Sequence, residues 1–149
     1  MPFEGVRVQR TLKATRDRVF RAWTQPEVMA RWFFPGAGWT CDVTSDLRTG
    51  GSWQALMHDA AGGEHNQFGE YREIVPPSRL VFTWNCPDLE VEGSVVTVEL
   101  RDVDGGTALT LTHELPADPK VRSGHEEGWH GCLGNLEKLL QSTERGEVT

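Results

Sequence analysis

The sequence predicts an α+β protein: a first strand, two short helices, six further strands completing a seven-stranded curved antiparallel sheet, and a long C-terminal helix laid across it. Three observations point there. From Asp118 to about Arg145 the apolar residues Trp129, Cys132, Leu133, Leu136 and Leu140 recur at intervals of three and four, the spacing of one helical face. Between Trp39 and Glu114 the apolar period drops to two, strand after strand, with turn residues between. The strands follow one another with no parallel crossover.

Each element has a local cause. In Glu4 to Lys13, Val6, Val8 and Leu12 share one parity, with Arg10 on the same side. Thr15 then offers an N-cap hydroxyl, Asp17 suits a first helical turn, and Val19, Phe20 and Trp23 form an apolar stripe. Pro26 is placed as the first residue of a second helix carrying Val28, Met29, Trp32 and Phe33, which Phe34-Pro35-Gly36 stops. Trp39, Cys41, Val43 and Leu47 alternate with polar residues up to a Gly50-Gly51 turn. The next strand puts Trp53, Ala55 and Met57 on one face. Phe68 and Tyr71 flank Gly69, where the apolar parity slips by one residue and a bulge is expected. Pro76-Pro77 ends that strand. Leu80, Phe82 and Trp84 mark the fifth strand, Val96, Val98 and Leu100 the sixth, and Leu109, Leu111 and His113 the seventh, with Asp104-Gly105-Gly106 as the last hairpin. Asp118-Pro119 supplies an N-cap and first-turn proline for the final helix. That helix also contains Gly124, Gly128, Gly131 and Gly134, each costing about 1 kcal/mol relative to alanine, so it needs close backbone approach or empty space beside it.

The totals bound the function classes. A chain of 149 residues suits one domain, expected to span 1–149. With 38% hydrophobic and 25% charged residues it has a soluble composition, no apolar run of the roughly 20 residues that cross a bilayer, and no basic leader or apolar core in Met1 to Leu12. The net charge of −7, spread along the chain, argues against nucleic acid as a partner. Cys41, Cys86 and Cys132 are an odd set without metal-type spacing, expected as reduced thiols in a cytoplasmic protein.

Several segments together resemble one family. The Thr24-Gln25-Pro26-Glu27 turn leading to Trp32-Phe33, the Gly50-Gly51-Ser52-Trp53 turn, Gly69-Glu70-Tyr71 running into Pro76-Pro77-Ser78-Arg79-Leu80-Val81-Phe82-Thr83-Trp84, and the late His125-Glu126-Glu127-Gly128-Trp129 are similar to homologues of the activator of the 90 kDa heat-shock protein ATPase, a branch of the START-like (SRPBCC) superfamily. The resemblance covers nearly the whole chain and implies a helix-grip fold with a cavity between sheet and last helix. Superfamily relatives bind lipids, hormones and polyketides or act as cyclases, so fold alone does not carry the function.

The candidate ligand-binding residues are Trp32, Phe33, Trp53, Met57, Phe68, Tyr71, Phe82, Trp84, His113 and Trp129, whose parity points between sheet and helix. An ordinary aromatic core explains the same pattern, and some of the set must be filler. His113, placed near the cavity mouth, would bond a ligand or move a proton, or be satisfied by its neighbours. Arg10 would clamp a carboxylate, or pair with Glu70 or another acid. His125 and His130 are five apart, roughly 140° around a helix, and do not match the zinc-protease motif; Glu126 and His130 have the spacing of a surface ion pair. His58, Asp59 and His65 would gather a metal only if their hairpin closed tightly, and neither metal nor cofactor is expected. No serine or cysteine has a histidine and acid partner by spacing.

Three functions follow. The first is a small-molecule-binding protein holding a hydrophobic or amphipathic ligand between sheet and helix. The second is a cyclase or dehydratase in which His113, Tyr71 or an inward acid such as Glu70 does acid–base work on a bound substrate. The third, implied by the family name, is a co-chaperone or protein-interaction module contacting a chaperone through an exposed Phe33-Phe34-Pro35 patch. Edge strands near Glu4 or Trp39 would support a homodimer.

Overall fold

The structure, a computed structural model, describes residues 5–115 and 118–144. Glu4 and Arg145, where the sequence places the start of the first strand and the end of the last helix, lie outside the described residues. The elements run β1 (Gly5–Leu12), α1 (Arg16–Thr24), α2 (Pro26–Met29), β2 (Thr40–Ser45), β3 (Ser52–His58), β4 (Glu64–Val75), β5 (Arg79–Cys86), a 3₁₀ turn at Pro87–Leu89, β6 (Val91–Val103), β7 (Gly106–Glu114) and α3 (Pro119–Glu144). The strands form one antiparallel sheet in the order β1-β7-β6-β5-β4-β3-β2, so each strand after β2 lies beside its predecessor and β1 closes onto β7. This is the α+β helix-grip arrangement. Among the described residues, no helix is long and apolar enough to cross a membrane.

Local chemistry sets the helix ends. The Thr15 side chain accepts from the Arg18 N–H at the start of α1, Pro26 opens α2, and Asp118 Oδ1 accepts from the Val121 N–H at 3.0 Å to cap α3. The α3 stripe of Trp129, Cys132, Leu133, Leu136 and Leu140 is buried against inward residues of the sheet, including Val6, Val8, Leu109 and Leu111. The two kinds of space expected for the α3 glycines both occur. A Cβ on Gly131 would collide with the backbone carbonyl of Pro35, whereas one on Gly124 would meet nothing within 4 Å. The 2-residue connection between β6 and β7 turns on Gly105 at φ +81°, a left-handed conformation that glycine adopts without a Cβ clash.

Three expectations need correction. β4 does not slip at Gly69: Gln67, Gly69 and Tyr71 all face inward, and the register shift falls between Tyr71 and Glu73. Phe68 therefore lies on the outer face, 38% exposed. Leu47 lies past the end of β2 and is also exposed. The physical reason for the first error is a pairing across strands. Trp53 stands opposite Gly69 in the register and its indole N–H reaches past β4 to donate to the Thr83 carbonyl on β5 at 3.1 Å. A Cβ on Gly69 would collide with that same Thr83 carbonyl, so a missing side chain, rather than an extra residue, marks this position.

Candidate functional site

The sheet and the first half of α3 enclose a pocket of about 370 Å³ at the end of the sheet where β3, β4 and β5 meet the 3₁₀ turn. Trp84 and Trp129 stand as one wall, with ring centroids 5.1 Å apart, and Met57, Cys86 and Cys132 continue the apolar surface. Gly124 and Gly128 present bare helix to the interior, Pro35 and Trp39 bound it from the loop before β2, and Leu89, 48% exposed, forms part of the rim. Burial pushes the Cys41 thiol up to about 12, and the thiols of Cys86 and Cys132 are also raised by desolvation, so all three are protonated and unreactive at neutral pH.

Polar groups enter from two directions. On the rim, His65 Nε2 meets Asp59 Oδ2 at 2.9 Å, the His65 ring stacks on Trp39 at 5.0 Å, and His65 Nδ1 faces Asp88 Oδ2 at 3.6 Å. Asp59 also accepts the N–H groups of Ala61 and Gly63, and the His65 bond, followed by that of Gly63, holds its carboxyl below the usual range. Gln67 is satisfied when its amide nitrogen faces the carbonyls of His65 and Ala55 at 3.1 and 3.3 Å, which leaves its oxygen toward Cys86 Sγ. From α3, His125 donates Nδ1–H to the Val121 carbonyl at 2.9 Å, and Nε2 has no partner among the described residues. Burial lowers the pKa of His125 and keeps its imidazole neutral, so Nε2 carries a lone pair. The indole N–H of Trp84 likewise has no partner among the described residues.

His113 sits behind this wall rather than at the mouth, with no exposed surface. Trp129 Nε1 lies 3.1 Å from His113 Nδ1, and an indole nitrogen can only donate, so Nδ1 is the acceptor. The ring proton is then on Nε2, aimed at Ser94 Oγ 2.9 Å away, and the Ser94 hydroxyl donates to the Trp84 carbonyl at 2.7 Å. Every polar atom of the imidazole is used. Desolvation, helped by the neighbouring His125, pushes its pKa down to about 3, so the ring is neutral.

Of the ten residues singled out in the sequence, Met57, Trp84 and Trp129 line the pocket. Trp32, Phe33, Trp53 and Phe82 are buried in an aromatic cluster with Trp23, whose ring lies 4.8 Å from that of Trp32 and 6.1 Å from that of Phe33. Tyr71 is buried with its hydroxyl bonded to Ser45, and Phe68 faces away. Glu70 is exposed, and Arg10 pairs with Glu137 at 3.1 Å instead. Phe33 is fully buried, and Phe34 and Pro35 are half-buried, so that segment is not an exposed patch. His58 turns to Asp42, away from Asp59 and His65, and among the described residues no group of three or more metal-ligating side chains is placed to hold an ion.

Trp39, His65, Gln67, Asp88 and His125 belong to the lining although the sequence did not assign them. A strict period of two from Tyr71 back through Gly69 would have turned Gln67 and His65 inward. Nothing comparable signals Asp88, which reaches the rim on the 3₁₀ turn.

No curated protein matches the chain. Among solved structures, protein CV1439 from Chromobacterium violaceum superposes with a TM-score of 0.79 at 29% identity over 91% of this chain and 95% of its own. An AHSA1 protein from Silicibacter pomeroyi gives 0.80 at 24% identity over 93% and 98%, a likeness of fold. DynU16, from the dynemicin biosynthetic locus, gives 0.78 at 25% identity, with 95% of this chain covering 49% of that one. The family model described as "Activator of Hsp90 ATPase homolog 1-like protein" matches residues 13–141, nearly the full length, and the chain belongs to that family.

Proposed function

We propose that this protein is a cytoplasmic binding protein that takes a small hydrophobic or amphipathic molecule into the pocket between its sheet and α3, without carrying out chemistry on it. One observation carries the reading: a space of about 370 Å³, walled by Trp84, Trp129 and Met57, remains beside a helix that keeps glycine at 124 and 128. Its volume lies at the small end of the roughly 300–1,000 Å³ usual for ligand sites, and its walls are apolar with a few polar groups, as such sites require. The family's helix-grip architecture supports the same location. The acid–base alternative has less behind it, because Glu70 is exposed and His113 spends both nitrogens on Trp129 and Ser94.

The test is native mass spectrometry of freshly purified protein beside the variant Gly128→Leu. A Cβ on Gly128 meets only Pro35 Cβ, at 3.9 Å, so a leucine there would fill the pocket with little damage to the helix. A stoichiometric small molecule on the native chain, absent from the variant, is the expected result. Equal loading of both proteins, or native protein that neither carries nor takes up any apolar probe, would sink the proposal.

A further inference from the structure

Granting that the pocket binds a small molecule, we propose that its ligand is a cationic amphiphile: an amine whose ammonium group sits at Asp88 and His65 while its hydrocarbon body lies against Trp84 and Trp129. The formal charge is one-sided. The described residues that line the pocket include no lysine or arginine, and Asp88 is the carboxylate among them. With Asp59 counted, the corner formed by Asp59, His65 and Asp88 carries net negative charge whichever form His65 takes, since two carboxylates face one imidazole.

A bound carboxylate or phosphate would therefore find no lysine or arginine, only an imidazole already shared by Asp59 and Asp88, and would lie beside Asp88. The positive end of α3 offers it little, because Asp118 already caps that terminus. An ammonium group meets the opposite situation. Asp88 Oδ2 is held to His65 only by a 3.6 Å approach, leaving its hydrogen-bonding capacity open, and the lone pair on His125 Nε2 is a second acceptor without a partner. Three indoles, Trp39, Trp84 and Trp129, line the same space, and indole faces are the strongest side-chain partners for a cation.

Phenylbutylamine, phenylbutanol and phenylbutyrate share one hydrocarbon body and differ in charge, so calorimetric titration of the full-length protein with all three at low salt reads the preference directly. Because Asp88 is more than half exposed, solvent limits the discrimination. The amine is expected to bind about tenfold more tightly than the carboxylate, with the alcohol between, and Asp88→Asn should bring the three to within about twofold. Asp88 lies on a surface turn, so that variant keeps its core. Equal binding by all three probes, tighter binding of phenylbutyrate, or an order unmoved by Asp88→Asn would overturn the cationic assignment while leaving the pocket reading intact. Failure of the neutral alcohol along with the other two would overturn both.

Discussion

Replacing Gly131 by alanine tests the contact that closes α3 onto the loop before β2. In a free helix the change is favourable by about 1 kcal/mol, because alanine loses less conformational entropy. Here the added methyl would collide with the Pro35 carbonyl, a backbone atom that cannot swing aside as a side chain can. Forced overpacking of this kind costs about 1 to 3 kcal/mol. Gly124→Ala is the internal reference, in the same helix with nothing within 4 Å of the new methyl. The propensity gain cancels between the two variants, so the difference in their unfolding free energies isolates the steric cost, about 1 to 3 kcal/mol. Urea unfolding followed by far-ultraviolet circular dichroism should show Gly124→Ala stabilised by somewhat under 1 kcal/mol and Gly131→Ala destabilised, with unchanged slopes. In melting temperature the two should separate by several degrees, at about 2–4 °C per kcal/mol for a chain of this length. Equal stabilisation of both would mean that α3 does not approach Pro35 as described.

His113 makes the protein acid-sensitive in a defined window. Its folded-state pKa lies below the ordinary value of 6.5, at about 3, so below pH 6.5 the unfolded chain takes up a proton that the folded one refuses. Stability should fall by up to about 1.4 kcal/mol per pH unit from about pH 6.5 toward 3, and His125, also lowered by burial, acts in the same direction. His113→Gln should flatten this slope above pH 4, where Asp59 is still ionised; unfolding midpoints that do not move between about pH 7 and 5 in the native protein would contradict the assignment. Trp129→Phe keeps an aromatic wall but leaves the buried Nδ1 of His113 without a donor, which should cost about 1–3 kcal/mol in urea unfolding. A cost near zero would show that the Trp129–His113 bond is unimportant.

The fold was legible because its elements announce themselves through period and punctuation. Thr15, Pro26, Asp118 and Gly105 each stand at the boundary their chemistry suits, and the α3 stripe is the buried face. The pocket was less legible, and Gly69 explains much of the loss. Treating it as the site of a parity slip turned Phe68 inward and Gln67 and His65 outward, the reverse of the structure. The cue that would have prevented this, the Thr83 carbonyl standing where a Cβ on Gly69 would lie, depends on strand register, which a linear pattern does not contain. Parity also finds only inward direction. It cannot separate Trp53 and Phe82, sunk in the aromatic cluster, from Trp84 and Trp129, which border open space, because that depends on where α3 has glycine instead of a side chain.

The bonds running from Trp129 through His113 and Ser94 to the Trp84 carbonyl join α3, β7, β6 and β5 in one continuous line. Lifting the whole of α3 to admit a molecule would sever that line and strand buried donors and acceptors, at about 1–3 kcal/mol for each orphaned group. The turns of α3 before Gly124 are not part of the line, which begins at Trp129. Trp129 thus pins α3 to three strands at once, so the helix cannot leave the sheet at that point without stranding partners on each of them.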